Sequence, residues 1–162
     1  MNPITESIKT RRSVRKWTDQ SIQESDIREI LEVAMNAPSA GNEQAWQFIV
    51  ITDKSLLEKY AETSRNVTFI KSAKAAILIC GDTNAQKFAG FYVHDCCAAT
   101  ENILLAIHAK GMGGVWGNVF SDSIPAIRTL LSLPEEMIPF SVVPFGYPEK
   151  APVFESRFDK AK

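Results

Sequence analysis

The chain has 162 residues, 45% hydrophobic and 23% charged, with 18 Lys and Arg against 19 Asp and Glu for a formal charge of −1. A chain of this length buries about two-thirds of its extended surface on folding, so a real core is expected and global disorder is excluded. A net charge near zero argues against binding nucleic acid by bulk electrostatics, and no run of about 18 apolar residues offers a membrane span.

The opening Met1-Asn2-Pro3-Ile4-Thr5-Glu6 has no basic stretch followed by an apolar one, so no secretory leader is expected. Asn2 before Pro3 predicts a helix start, because an Asx cap and a first-turn proline both suit orphan backbone groups. Ile27, Ile30, Leu31 and Ala34 recur at helical spacing and predict a second helix over 25–36, ended by Pro38. A loop over 37–45 leads to a strand over 46–52, and Asp53 caps a helix carrying Leu56, Leu57 and Tyr60. The short apolar run Ala75–Cys80 predicts a strand buried on both faces. The longest helix is expected over 93–110, stopped by Gly111. It is apolar nearly all round, and a partner subunit is the economical way to cover it. A helix over 124–131 and a strand over 138–145 complete a single-domain pattern that reads as α+β or mixed α/β.

Three cysteines, two of them adjacent (Cys96, Cys97), cannot form an even disulfide framework, which points to a reduced, cytoplasmic protein. His94-Asp95-Cys96-Cys97 lacks a second Cys/His cluster to complete a tetrahedral set, so no metal is expected.

Four segments can carry chemistry. The densest cationic one is Lys9-Thr10-Arg11-Arg12-Ser13-Val14-Arg15-Lys16. Arginine forks suit phosphate, and Ser13 among them suits a small anion better than a polymer, although a basic run can also be a plain solvated face. No glycine-rich phosphate fingerprint is present, because Gly111-Met112-Gly113-Gly114 follows a helix rather than opening one. The second segment runs from Ala37 to Phe48, where Pro38, Ser39, Ala40, Asn42 and Gln44 offer small side chains and amides to a flat polar ring, or simply a turn. Trp46 and Phe48 in it read as core anchors. The third, Gly113-Gly114-Val115-Trp116-Gly117-Asn118, lets a ligand approach the main chain. The fourth is the tail, where Arg157 can return to the anion site.

Taken in order, these segments, with Phe145-Gly146-Tyr147-Pro148 between the third and the tail, resemble the flavin-dependent nitroreductase family over essentially the whole chain. The resemblance implies an α+β fold: a central, mostly antiparallel sheet flanked by helices, with the long central helix at a homodimer interface. It also implies FMN at that interface and reduction of nitro compounds, quinones or similar acceptors by NAD(P)H, in ping-pong fashion through the flavin N5. Matched residue by residue, Arg11, Arg12, Ser13 and Arg15 correspond to the first flavin motif. Arg11, Ser13 and Arg157 would meet phosphate or ribityl oxygens, and Arg15 the N1/O2 edge of the ring. Pro38, Ser39, Ala40, Asn42 and Gln44 correspond to the loop from the other subunit, and Asn66 to an amide at the pyrimidine edge. Trp116, Gly117 and Asn118 belong to the segment whose backbone faces N5. Because the flavin itself carries hydride, no catalytic acid or base is nominated. The sequence departs from the family at Glu155 and Phe69, where many or some members are basic, and in a short Arg65–Phe91 stretch. A flavoprotein fed by another donor, a flavin binder without turnover and a nucleic-acid or anionic-lipid module using the arginine cluster are the competing classes.

Overall fold

The computed structural model describes residues 2–161. Helix α1 is Pro3–Thr10, and the Asn2 side chain accepts from the Ile4 N–H at 2.9 Å, as a cap should. Helix α2 is Glu24–Met35 and α3 is Lys54–Thr63, the latter capped by Asp53, which accepts from the Leu56 N–H at 2.8 Å. Helix α4 is Tyr92–Ala109 and α5 is Ile124–Leu131. Gly111, with φ of 73°, turns the chain out of α4 in the left-handed region that glycine enters at least cost. The helices expected over 25–36, 93–110 and 124–131 match α2, α4 and α5 to within one residue at each end, and α1 and α3 start at the expected caps.

Five strands form one sheet: β1 (Trp46–Ile51), β2 (Ala75–Asp82), β3 (Gly113–Gly114), β4 (Gly117–Asn118) and β5 (Met137–Gly146). Their order is β1-β2-β5-β3, with β4 also on β5, and every pairing is antiparallel. The register of β2 on β5 shifts between Ile79 and Cys80, which leaves Phe140 as an extra residue beside Pro139. A bulge is where a central strand tolerates a proline, because a ladder N–H is not needed there.

Strand β2 is buried on both faces because the sheet is covered twice. Ala75, Ile77 and Ile79 join Ile30, Cys96, Ile103 and Phe145 in a core under α2 and α4. Ala76, Leu78 and Cys80 point the other way, into a core with Leu57, Tyr60, Ile70 and Ile127. The result is an antiparallel sheet with helices on both faces. Burial pushes the Cys80 thiol up to about 12, and it also raises Cys96, so both behave as small apolar side chains.

One further element had no periodic signature. The 3-10 segment Arg65–Ser72 is broken by non-helical backbone at Val67, and it places Val67 and Ile70 in the second core.

Candidate functional site

The basic segment after α1 is held by its apolar members, which frees its polar ones. Val14 donates its N–H to Gly114 O at 3.0 Å, and the Trp17 indole N–H donates to Gly113 O at 2.6 Å. A β-carbon on Gly113 would stand 2.5 Å from a Val14 methyl, so only glycine permits this approach. With Val14 and Trp17 buried, Ser13 and Arg15 on either side of Val14 are exposed. The Arg15 guanidinium lies 5.6 Å from the centre of the Phe69 ring, and it has no carboxylate partner among the described residues.

Arg11 and Arg12 are more committed. Arg11 Nε stands 3.3 Å from Glu101 Oε1 on α4 in a half-exposed pair of modest strength. Arg12 donates to Lys9 O, Arg11 O and Glu155 O at 2.8, 2.6 and 2.6 Å, and its guanidinium covers the Phe154 ring at 5.0 Å. Arg12 therefore draws the tail back across the basic segment. The two enclose a cleft of about 560 Å³ lined by Lys9, Arg11, Arg12, Phe154 and Arg157, which brings Arg157 to the same cleft as Arg11 and Arg12. Behind the arginines, His108 on α4 meets Thr10 Oγ1 at 2.8 Å. Burial, with Arg11 and Arg12 adding to it, holds the imidazole below its ordinary pKa.

The 3-10 segment and the β3–β4 connection close on the same region. A β-carbon on Gly117 would lie 2.6 Å from a Val67 methyl, and Phe69 packs on Val14, Trp17 and Val115. Asn66 and Asn118 are exposed there. Trp116 turns its ring into the core, edge-on to Phe140 at 6.1 Å. Arg15, the Asn66–Phe69 stretch and Gly117–Asn118 thus converge, with donors facing outward from a tightly packed base.

The 38–44 loop is built differently. Gly41, Asn42 and Gln44 all have positive φ, at 53°, 54° and 49°, in the region that favours glycine and tolerates asparagine. Its bends are held from within: Gln44 N–H donates to Ser39 Oγ at 3.0 Å, and Gln44 Nε2 to Asn42 Oδ1 at 3.1 Å. They are also held from beneath. Asp95 Oδ1 on α4 accepts from the Ala40 N–H at 2.9 Å, and Glu43 Oε2 accepts from Lys87 N–H and Phe88 N–H at 2.6 and 3.1 Å. Lys87 Nζ returns to Gly41 O at 2.9 Å. Neither Glu43 nor Asp95 stands out in the sequence as a loop anchor, because the two are distant along the chain and Asp95 sits in what resembles a metal motif.

One protomer does not bring the two halves together. The loop leads into β1, at one edge of the sheet, and the Gly113–Asn118 segment lies beyond β5. Three strand spacings separate β1 from β3, about 14 Å. Among the described residues no group of three or more His, Cys, Asp and Glu could hold a metal ion, and no helix is long and apolar enough to cross a membrane.

A two-sided antiparallel sheet carrying an exposed arginine–serine motif beside two glycine-permitted close approaches defines a small α+β protein. The nitroreductase family model matches residues 8–93 and 66–147, and the chain belongs to the nitroreductase family. It is 45% identical over 158 residues to a protein of Methanothermobacter thermautotrophicus provisionally named NADH dehydrogenase/NAD(P)H nitroreductase, covering 96% of this chain and 83% of that one. A crystal structure of a similarly named protein from Parabacteroides distasonis superposes with a TM-score of 0.94 at 33% identity, covering 100% of this chain and 96% of that one. A provisionally named nitroreductase from Desulfovibrio desulfuricans, solved in complex with FMN, gives 0.87 at 31% identity, covering 99% and 94%.

Proposed function

We propose that the protein is an FMN-dependent oxidoreductase that takes reducing equivalents from NAD(P)H and passes them to nitro compounds, quinones or similar acceptors. The observation that carries this reading is the cluster of uncommitted donors, Ser13, Arg15, Asn66 and Asn118, over a base where Gly113 and Gly117 let the Val14 and Val67 side chains pack close. That donor set suits a ligand with a phosphate, a polyol and a flat heterocycle, and it fits FMN. When bound, FMN supplies the hydride chemistry, so the protein needs no acid–base pair of its own.

The residues divide the work by charge and shape. Arg11, Ser13 and Arg157 would hold the phosphate and ribityl end, while Arg12 fixes the tail that brings Arg157 there. Arg15 would place a positive charge beside the ring edge that becomes electron-rich on reduction, a preorganised stabilisation needing little rearrangement. Asn66 and the Trp116–Asn118 backbone would fix the ring's orientation. Pro38, Ser39, Ala40, Asn42 and Gln44 would come from a second copy of the chain, since the protomer's own loop lies at the opposite sheet edge.

Surface area supports that second copy. The chain exposes 9321 Å², against about 8,000 Å² for a compact monomer of this mass. Ile4, Ile8, Met35, Phe154 and Phe158 are among its exposed apolar side chains. Donor and acceptor would use the same open ring face in turn, which gives ping-pong kinetics. The visible spectrum of FMN-supplemented protein, before and after anaerobic NAD(P)H, tests the reading: a bound flavin band that bleaches is expected. Failure to take up FMN would overturn the cofactor assignment, and a band that persists would leave a binder without this donor.

A further inference from the structure

Among the described residues, two carboxyl oxygens under the 38–44 loop have no partner. Glu43 is 8% exposed and Asp95 2% exposed, and each uses one carboxyl oxygen fully: Glu43 Oε2 on two N–H groups, Asp95 Oδ1 on Ala40 N–H. The remaining oxygens, Glu43 Oε1 and Asp95 Oδ2, are buried and unpartnered among the described residues. Two ionised carboxylates in one dry site repel, and each leaves an acceptor unpaid. A single proton corrects both faults, because a protonated carboxyl donates one hydrogen bond to its neighbour.

We propose that Glu43 and Asp95 share one proton, and that this O–H···O bond is the clamp that holds the 38–44 loop in its bent shape. Burial raises the Asp95 pKa first, and Glu43 beside it raises it further against the opposing Ala40 and Ala45 N–H groups. The other charged neighbours are otherwise engaged. Lys87 Nζ lies on Gly41 O, His94 meets the Phe91 ring edge-on at 5.4 Å, and Asp82 accepts from Asn84 and Ala85 N–H. The neighbouring Cys96 thiol is itself raised by burial and stays protonated. An acid whose pKa is raised by folding stabilises the fold at low pH and loses that contribution as pH rises through the folded value, so the clamp weakens in the alkaline direction. The claim that it positions a flavin-facing loop rests on the function proposed above; Glu43 and Asp95 are positioning residues and touch no substrate.

The test uses full-length protein with and without FMN. Infrared difference spectra should show one protonated-carboxyl stretch that disappears in both Glu43→Gln and Asp95→Asn, because either amide supplies the donor and leaves the other group ionised. Amide exchange at Ala40, Lys87 and Phe88 should speed up about tenfold in the native protein as the pair deprotonates, the equivalent of one such bond. In Glu43→Gln it should stay flat once intrinsic exchange is subtracted. Absence of the carboxyl band, or identical pH responses in native and Gln proteins, overturns the shared proton. If the band and exchange behave as stated while FMN affinity is indifferent to pH, the clamp stands and it is the flavin-facing role of the loop that fails.

Discussion

The basic segment and the 38–44 loop solve opposite problems. In the first, an ordinary extended backbone is pinned by Val14 and Trp17 against β3, and Ser13 and Arg15 are left free. In the second, the backbone itself is bent through three positive-φ residues, and the polar side chains are consumed in holding it. One region offers charge from a rigid base; the other offers shape maintained by internal hydrogen bonds. Affinity should therefore respond to side-chain deletion in the first region, and geometry to backbone perturbation in the second.

The largest effect should come from Arg15→Ala. Losing a charged donor costs about 1.5–3 kcal/mol, so FMN affinity by calorimetry should fall roughly 10- to 150-fold while the melting temperature of the cofactor-free protein stays put. An unchanged affinity would remove Arg15 from the site. Next is Gly113→Val, which drives branched carbon into Val14 and should destabilise the fold by about 1–3 kcal/mol in denaturant titrations. If it unfolds at the native midpoint, Val14 is not the pin described.

Gly41→Ala should cost about 1–2 kcal/mol, because φ is 53° and the new carbon would lie 2.8 Å from the Phe88 ring. Its signature is faster exchange across the loop with the basic segment untouched; uniform destabilisation would erase the distinction between the regions. The smallest effect concerns His108. A base whose pKa is lowered by folding favours the native state at high pH and loses that contribution as pH falls through its ordinary range. Inorganic phosphate should raise the imidazole titration midpoint seen by NMR by offsetting Arg11 and Arg12. A midpoint indifferent to phosphate would place the anion elsewhere.

Much of this was legible in the sequence, for reasons that differ by element. Asn2-Pro3 and Asp53 announce helix starts through local capping, and the unbroken apolar run Ala75–Cys80 reports two cores at once. The arginine–serine motif and the 37–48 loop were legible as a family pattern. Arg65–Ser72 was not, because its kink at Val67 breaks any single period. Nor were β3 and β4, two-residue strands that exist only through pairing with β5. The carboxyl clamp was invisible because its members meet only after α4 packs beneath the loop. Trp116 shows the limit of a motif: the sequence does not reveal that its ring packs against the core beside Phe140.

Strand β1 has a consequence of its own for handling the protein. It ends the sheet, so the outer backbone groups of Trp46-Gln47-Phe48-Ile49-Val50-Ile51 face no neighbouring strand among the described residues. Six residues with no charge, proline or glycine and high β-propensity make an adhesive seam of the kind that seeds fibrils. Heating in concentrated solution should therefore end in irreversible aggregation, and a lysine placed at exposed Val50 should delay it.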